Sequence, residues 1–139
     1  MNDIQIATLS DIEKMVPLLL ELRPHRTEEE IRQQYPVLHE QGYRIIYIGD
    51  ETVYSILGFR IVTSFFSGKT LIVDDLCTAS SAKNQGLAGR LFSWIKKHAE
   101  QTRCEHISLN SGFHRNDAHR FYLNHGLRVE SLHFGCKLG

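Results

Sequence analysis

The stretch Lys83-Asn84-Gln85-Gly86-Leu87-Ala88-Gly89-Arg90 constrains this chain most. It follows an apolar run, Leu71 to Thr78, that reads as a strand. It opens a helix with Ala88, Leu91, Phe92, Ile95 and Ala99 on one face. Strand, glycine-rich turn and helix start together make a place to hold phosphate. The first turn of a helix leaves backbone N–H groups unpaired and carries partial positive charge. Small residues let a pyrophosphate approach that backbone closely. A chain built around this unit is expected to handle a phosphorylated cofactor, although the same turn can serve only to reverse the chain.

The rest of the sequence surrounds this unit with short elements. Ile4 and Ile6 alternate with polar neighbours and predict a first strand. Ser10 and Glu13 have capping-box spacing, and Ile12, Met15, Val16 and Leu19 follow at helical spacing until Pro24 closes the segment. Thr27 and Glu30 repeat the capping box, and Ile31, Tyr35 and Leu38 form a weaker stripe that Pro36 is expected to end or bend. Tyr43 to Ile48, Val53 to Phe66 and Leu71 to Thr78 predict three strands joined by turns at Gly49-Asp50-Glu51 and Ser67-Gly68. Gly58 inside the second run marks a bulge or close packing. Beyond the helix come a strand at His106 to Leu109, a helix capped by Asn116 or Asp117 and ended by Gly126, and one or two strands from Arg128 to Leu138. The predicted class is α/β (α+β): a mixed, mostly antiparallel sheet, part meander and part crossover, flanked by about four helices.

Bulk properties narrow the function. The 139 residues suit one domain with its own core. Sixteen basic and sixteen acidic residues cancel, so the overall charge does not point to nucleic acid or an anionic membrane. No run is apolar for long enough to span a bilayer, and Met1 to Ser10 lacks signal-peptide regions. Cys77, Cys104 and Cys136, an odd and widely spaced set, read as reduced thiols of a cytoplasmic protein.

Two segments carry a family resemblance. Lys83-Asn84-Gln85-Gly86-Leu87-Ala88 resembles the acetyl-CoA pyrophosphate loop of the GCN5-related N-acetyltransferases, Arg/Gln-x-x-Gly-x-Gly/Ala. Asn116-Asp117-Ala118-His119-Arg120-Phe121-Tyr122-Leu123-Asn124-His125-Gly126-Leu127 resembles the family's Ala-x-x-Phe-Tyr…Gly-Phe segment. Lys83 departs from the commoner Arg or Gln, keeping charge but losing planar bidentate geometry. Leu127 replaces the usual Phe. Neither change removes backbone donors.

The resemblance implies acetyl-CoA as cosubstrate and a GNAT-like fold over residues 1–139 as a single N-acetyltransferase domain. It assigns the main chain of Cys77 and Thr78 to the pantetheine amides. It assigns main-chain N–H groups from Gln85 through Gly86, Leu87, Ala88 and Gly89 to Arg90, beside Lys83, to the pyrophosphate. Arg90 reads equally as an exposed helix residue. Asn116 and His119 are candidates for the pantetheine or adenosine end, with helix capping and solvent exposure as their plainer roles. A homodimer is compatible with the family, but no stripe identifies a contact surface.

Direct acyl transfer to an amine needs a held thioester, polarisation of its carbonyl and a proton donor for the departing thiolate. Tyr122 is the candidate general acid. A tyrosine pKa of about 10 against about 8.5 for a simple thiol suits hydrogen-bond donation to sulfur rather than full proton transfer. Its alternative is an amphipathic core position beside Phe121. Asp74 and Asp75 interrupt an apolar strand, and simple alternation sends them to opposite faces. One of them could bind an ammonium group or accept its proton. The family points to Asp75 as base and leaves Asp74 as a substrate contact, and a bulge would upset this parity. Ser111, His114 and Arg115 lie in a loop suited to meeting substrate, with Arg115 able to bind an anion, or to plain solvation.

Arg23, His25 and Arg26 near the first interhelical turn could favour an anionic acceptor or face solvent. The segment from Arg115 to Leu123 is locally similar to aminoalkylphosphonate N-acetyltransferases. His114, His119 and His125, spaced by five and six, lack the i,i+4 alignment of helical metal ligands, so no metal is expected. Cys77 has no visible His/Asp arrangement to make it a nucleophile. The leading expectation is transfer of acetyl to a small primary amine in a ternary complex. A protein or peptide acceptor, a non-catalytic acyl-CoA-binding module and a histidine-based metal-binding regulator are the alternatives.

Overall fold

In a computed structural model, residues 3–112 and 115–139 are described. The elements are β1 (Ile4–Ile6), α1 (Ile12–Leu22), α2 (Glu28–Glu40), β2 (Arg44–Gly49), β3 (Val53–Ser64), β4 (Gly68–Thr78), α3 (Leu87–Gln101), β5 (His106–Leu109) and α4 (Asn116–Asn124). The five strands form one sheet in the order β1-β2-β3-β4-β5. The β1–β2, β2–β3 and β3–β4 pairs are antiparallel, as short connections require. α3 makes the longer connection to β5 at the far edge. This is the mixed, mostly antiparallel sheet with four helices that the sequence predicts.

Period-two alternation assigns the two faces of the sheet. Tyr43, Ile45, Tyr47 and Ile56 pack with Met15 and Leu18 of α1 and Tyr35 of α2. Phe59, of opposite parity to Ile56, meets Trp94 and His98 of α3 with ring centroids 6.3 and 5.5 Å away. Leu91, Phe92 and Ile95 give α3 a fully buried stripe. No helix among the described residues is long and apolar enough to cross a membrane.

Several local expectations change. The first capping box is made by Thr8 and Asp11, not Ser10 and Glu13, and a 3-10 turn at Leu9–Asp11 leads into α1. The Thr27–Glu30 box forms as expected, with Thr27 N donating to Glu30 Oε1 at 3.0 Å and Glu30 N to Thr27 Oγ1 at 3.1 Å. Pro36 does not end α2, which continues to Glu40. An interior proline costs about 3 kcal/mol, and burial of Ile31 and Tyr35 on the same helix offsets it. The strands expected between Arg128 and Leu138 are absent among the described residues, and Val129, Leu132, Phe134 and Leu138 are exposed.

The chain's contacts gather into two compact units, residues 1–108 and 109–139. The first holds β1 to β4, α1 to α3 and most of β5. The second holds α4 and the residues that flank it.

Candidate active site

Within residues 1–108 the site begins at a β-bulge. Gly58 pairs with Asp75, but Phe59 pairs with Val73, so Asp74 is an extra residue in β4. The bulge cancels simple alternation. Asp75 Oδ2 accepts from the Tyr43 hydroxyl at 2.6 Å. Asp74 Oδ2 accepts from Arg60 Nε at 2.8 Å and its Oδ1 from Arg60 Nη2 at 3.3 Å. Arg60 shares the parity of Ile56 and Gly58, the parity of the face covered by α1 and α2. Both aspartates therefore direct their carboxylates to that face, correcting the expectation that they face opposite ways.

Gly58 makes the Tyr43 contact possible. A Cβ there would collide with the Tyr43 hydroxyl and ring. Tyr43 is 3% exposed. Burial first, and the Asp75 carboxylate second, push its phenol well above the usual tyrosine value. It therefore stays protonated and keeps donating.

Arg23 completes the cluster. Pro24 disfavours a helical conformation for the preceding residue, and Arg23 sits at the α1 C-cap with φ −122° and ψ 68°. Its Nε and Nη2 donate to Asp75 Oδ1 at 3.2 and 3.0 Å, and Nη2 also donates to the Asp74 carbonyl at 2.8 Å. Both Asp75 oxygens are thus engaged by protein donors. Arg23 is one of three cations near the first interhelical turn, whereas nothing in the sequence points to Arg60 or Tyr43 as site residues. Only the bulge and the strand register bring them to the two aspartates.

Toward its end, β4 carries Cys77 and Thr78, both half-buried. The buried Ser55 hydroxyl bonds Thr78 Oγ1 at 2.8 Å and donates to the Cys77 carbonyl at 3.3 Å. β5 is anchored near the start of β4, where Glu105 N donates to Lys69 O at 2.7 Å. Its four residues cannot line the eleven of β4.

The connection from β4 to α3 contains a 3-10 turn, Ser80–Ala82, then exposed Lys83, Asn84, Gln85 and Gly86. Asn84 and Gly86 both have positive φ, 65° and 74°. The first intrahelical bond of α3 runs from Arg90 N to Gly86 O at 3.1 Å. The Arg90 amide is thereby used within the helix, unlike the sequence expectation for a donor. Leu87, Ala88 and Gly89 precede that bond, so their N–H groups belong to the helix's unpaired first turn. A Cβ at Gly86 would meet nothing within 4 Å. Open space beside unpaired N–H groups at a helix start fits a diphosphate.

Residues 109–139 hold the other predicted positions. Asn116 is the first residue of α4 rather than its cap, and Arg115 stands at the N-cap without a side-chain bond. His119 Nε2 donates to Gly112 O at 2.9 Å. Tyr122 is half-buried, edge-on to Phe121 with centroids 5.8 Å apart. Gly126, at φ 87°, ends the helix, with its N–H donating to Leu123 O at 3.2 Å. Ser111 Oγ is buried without a hydrogen-bond partner among the described residues. His114 lies outside the described residues. His125 Nδ1 donates to Phe121 O at 2.8 Å, and no metal-binding group of three or more His, Cys, Asp or Glu exists among the described residues.

Comparison with known proteins agrees with this architecture. The chain is 26% identical over 133 residues to an uncharacterized N-acetyltransferase, YhdJ, of Bacillus subtilis (strain 168), covering 94% of each chain. It is 29% identical over 62 residues to an aminoalkylphosphonate N-acetyltransferase of Salmonella typhimurium, covering 45% of this chain and 40% of the relative. An aminoglycoside N-acetyltransferase, AAC(6')-Iy, in complex with CoA has the same fold, with a TM-score of 0.86 at 13% identity over 99% of this chain and 95% of that one. Residues 9–127 match the family described as Acetyltransferase (GNAT) family. With the β4–turn–α3 unit and the element order as far as α4 in agreement, the chain belongs to the GNAT family of N-acetyltransferases.

Proposed function

We propose that the protein transfers acetyl from acetyl-CoA to a primary amine of a small molecule by direct attack in a ternary complex. The observation that carries this reading is the opening of α3. Gly86 in the left-handed region leaves space beside the unpaired amides of Leu87, Ala88 and Gly89. Those amides hold the pyrophosphate, with Gln85 and Gly86 main chain beside them and Lys83 and Arg90 adding positive charge. The main chain of Cys77 and Thr78 pairs with the pantetheine amides along the part of β4 that β5 is too short to reach. The half-length match to an enzyme that acetylates aminoalkylphosphonates supports a small-molecule acceptor.

In the reaction, a neutral amine attacks the thioester carbonyl. A C–N bond forms, the C–S bond breaks, and the amine's surplus proton leaves to water. Tyr122 donates a hydrogen bond to the departing sulfur as its charge develops, and the released thiolate takes its proton from solvent. Asn116 and His119 assist at the cofactor's pantetheine or adenosine end, while Ser111 and Arg115 contact the acceptor. Asp75 acts as a positioning residue, because both its oxygens already accept protein hydrogen bonds. Three of its about four lone-pair sites are filled, which leaves it little capacity to take a proton from the amine.

The test is amine-dependent thiol release from acetyl-CoA, measured with calorimetric binding of acetyl-CoA. Binding and release with at least one small amine support the reading. Binding without release across amines and peptides makes the domain a non-catalytic acyl-CoA binder. Release only with peptides makes the acceptor a protein. For Tyr122→Phe the expected result is kcat lower by about tenfold to a hundredfold, the low end of acid–base contributions, with acetyl-CoA affinity within about twofold. An unchanged kcat across pH removes Tyr122 from the mechanism.

A further inference from the structure

We propose that Arg23 and Arg60 form an anchor for an anionic group on the acceptor, so that the preferred amine carries a carboxylate, phosphonate or phosphate. This rests on the acetyl-transfer reading above and specifies its substrate class.

The bulge at Asp74 is the structural cause. It places two successive carboxylates on one face of β4, and each holds a guanidinium through Nε and Nη2. Arg23 and Arg60 are thereby oriented from different elements, the α1 C-cap and β3, over one dipeptide. The aspartates lie beneath them. Asp75 and Asp74 side chains are 15% and 30% exposed, against 41% and 40% for Arg23 and Arg60. The arginine side chain is the more accessible member of each pair.

A guanidinium has five N–H donors in a rigid fork. Arg23 spends one on Nε and both on Nη2, which leaves the two on Nη1. Arg60 spends one on Nε and one on Nη2, which leaves one on Nη2 and two on Nη1. The remaining donors have no protein partner among the described residues. Planar donors in pairs match the oxygens of carboxylate and phosphonate groups. Their carboxylate partners already fix the rotamers, so a ligand gains these bonds without ordering two long side chains. Each carboxylate's charge is matched by its arginine, and of the two Asp75 has the fewer acceptor sites left.

Position along the strand agrees. Asp75 stands three residues before Thr78, about 10 Å at roughly 3.3 Å per residue. An acceptor held at the arginines can present its amine toward a thioester held along Cys77 and Thr78, provided the spacer between amine and anion is short.

Matched acceptors test the proposal: 2-aminoethylphosphonate and β-alanine against ethylamine and 1,2-diaminoethane, each followed by thiol release. The expected kcat/KM for the anionic pair exceeds that for the other pair by at least about tenfold, in keeping with charge-assisted bonding. Arg60→Gln lowers this ratio, mainly through KM of the anionic acceptor. Arg23→Gln does the same, and Arg23→Lys restores part of it. Equal or better turnover of ethylamine or 1,2-diaminoethane, which carry no anionic group, overturns the anchor while leaving acetyl transfer standing. A ratio unchanged in an Arg60→Gln protein with native circular dichroism also overturns it. Calorimetry with 2-aminoethylphosphonate separates the two readings where no amine is turned over. Binding that is lost in Arg60→Gln then supports the anchor and counts against catalysis; absence of binding overturns the anchor.

Discussion

Gly58 and Tyr43 show how much one missing side chain organises. The glycine faces the space where the Tyr43 hydroxyl reaches Asp75. Gly58→Ala forces a Cβ into that ring, and overpacking of this kind costs about 1–3 kcal/mol. The expected result is a lower urea midpoint with an unchanged slope; a midpoint equal to wild type contradicts the geometry. Tyr43 makes a second, pH-dependent prediction. Its folded pKa is raised, by burial first and by the Asp75 carboxylate second. A raised tyrosine contributes stability that is fully present below its unfolded value of about 10 and is lost as pH rises above that value toward the folded one. Urea titrations between pH 9 and about 11 are therefore expected to show a steeper loss for wild type than for Tyr43→Phe. Identical alkaline slopes rule this out. In the sequence, Gly58 already stood out as a bulge or close-packing site, and it is both. Its partner Tyr43 was not legible, because the contact joins residues 32 apart in sequence to the bulge's own register shift.

At the scale of elements, what was readable depended on whether the signal is local. The Thr27–Glu30 box, the α3 stripe and the meander rest on neighbours within a few residues, and all form. Of the two outcomes expected at Pro36, an end or a bend, the end does not occur, because tertiary burial of Ile31 and Tyr35 outweighs a local penalty. Leu132, Phe134, Cys136 and Leu138 alternate as a strand would, yet alternation supplies no partner, and strand formation depends on pairing. The aspartate parity failed for a related reason, since a one-residue bulge reverses every later side chain. The α3 opening, by contrast, is local: the strand, the glycine turn and the helix start form where the sequence puts them, although the Arg90 amide is taken by Gly86 O. Gly86 carries the corresponding prediction. At φ 74° any other residue pays about 1–2 kcal/mol for the left-handed conformation. Because the added Cβ would enter open space, Gly86→Ala is expected to fold. The variant relieves the strain by relaxing this turn, and binding acetyl-CoA must then re-impose it; at about 1.4 kcal/mol that lowers the affinity by about tenfold. Unchanged affinity by calorimetry places the nucleotide elsewhere.

For the molecule as a whole, the two compact units differ in how deeply they bury their side chains. Residues 1–108 contain the fully buried Met15, Ile45, Ile56, Leu91 and Phe92, whereas α4 has no buried residue and 128–139 are exposed throughout. The three cysteines sample this difference, and no disulfide joins them. Cys77 packs against the Met15–Tyr43–Ile56 cluster, and Cys104 lies half-buried with Thr102 Oγ1 3.5 Å from its sulfur. Cys136 is exposed. A thiol reagent needs access as well as thiolate, so accessibility sets the order of modification among thiols of ordinary reactivity. Cys136 is expected to react first, in a fast phase of one equivalent. Cys104 and Cys77 should follow more slowly, at rates limited by local opening. Mass spectrometry of peptides after brief labelling assigns the phases. Early labelling at Cys77 would show that the wall between α1 and β4, where Arg23 meets Asp75, opens far more readily than its packing implies. A slow Cys136 would show that the alternating Leu132-to-Leu138 segment gains cover in solution.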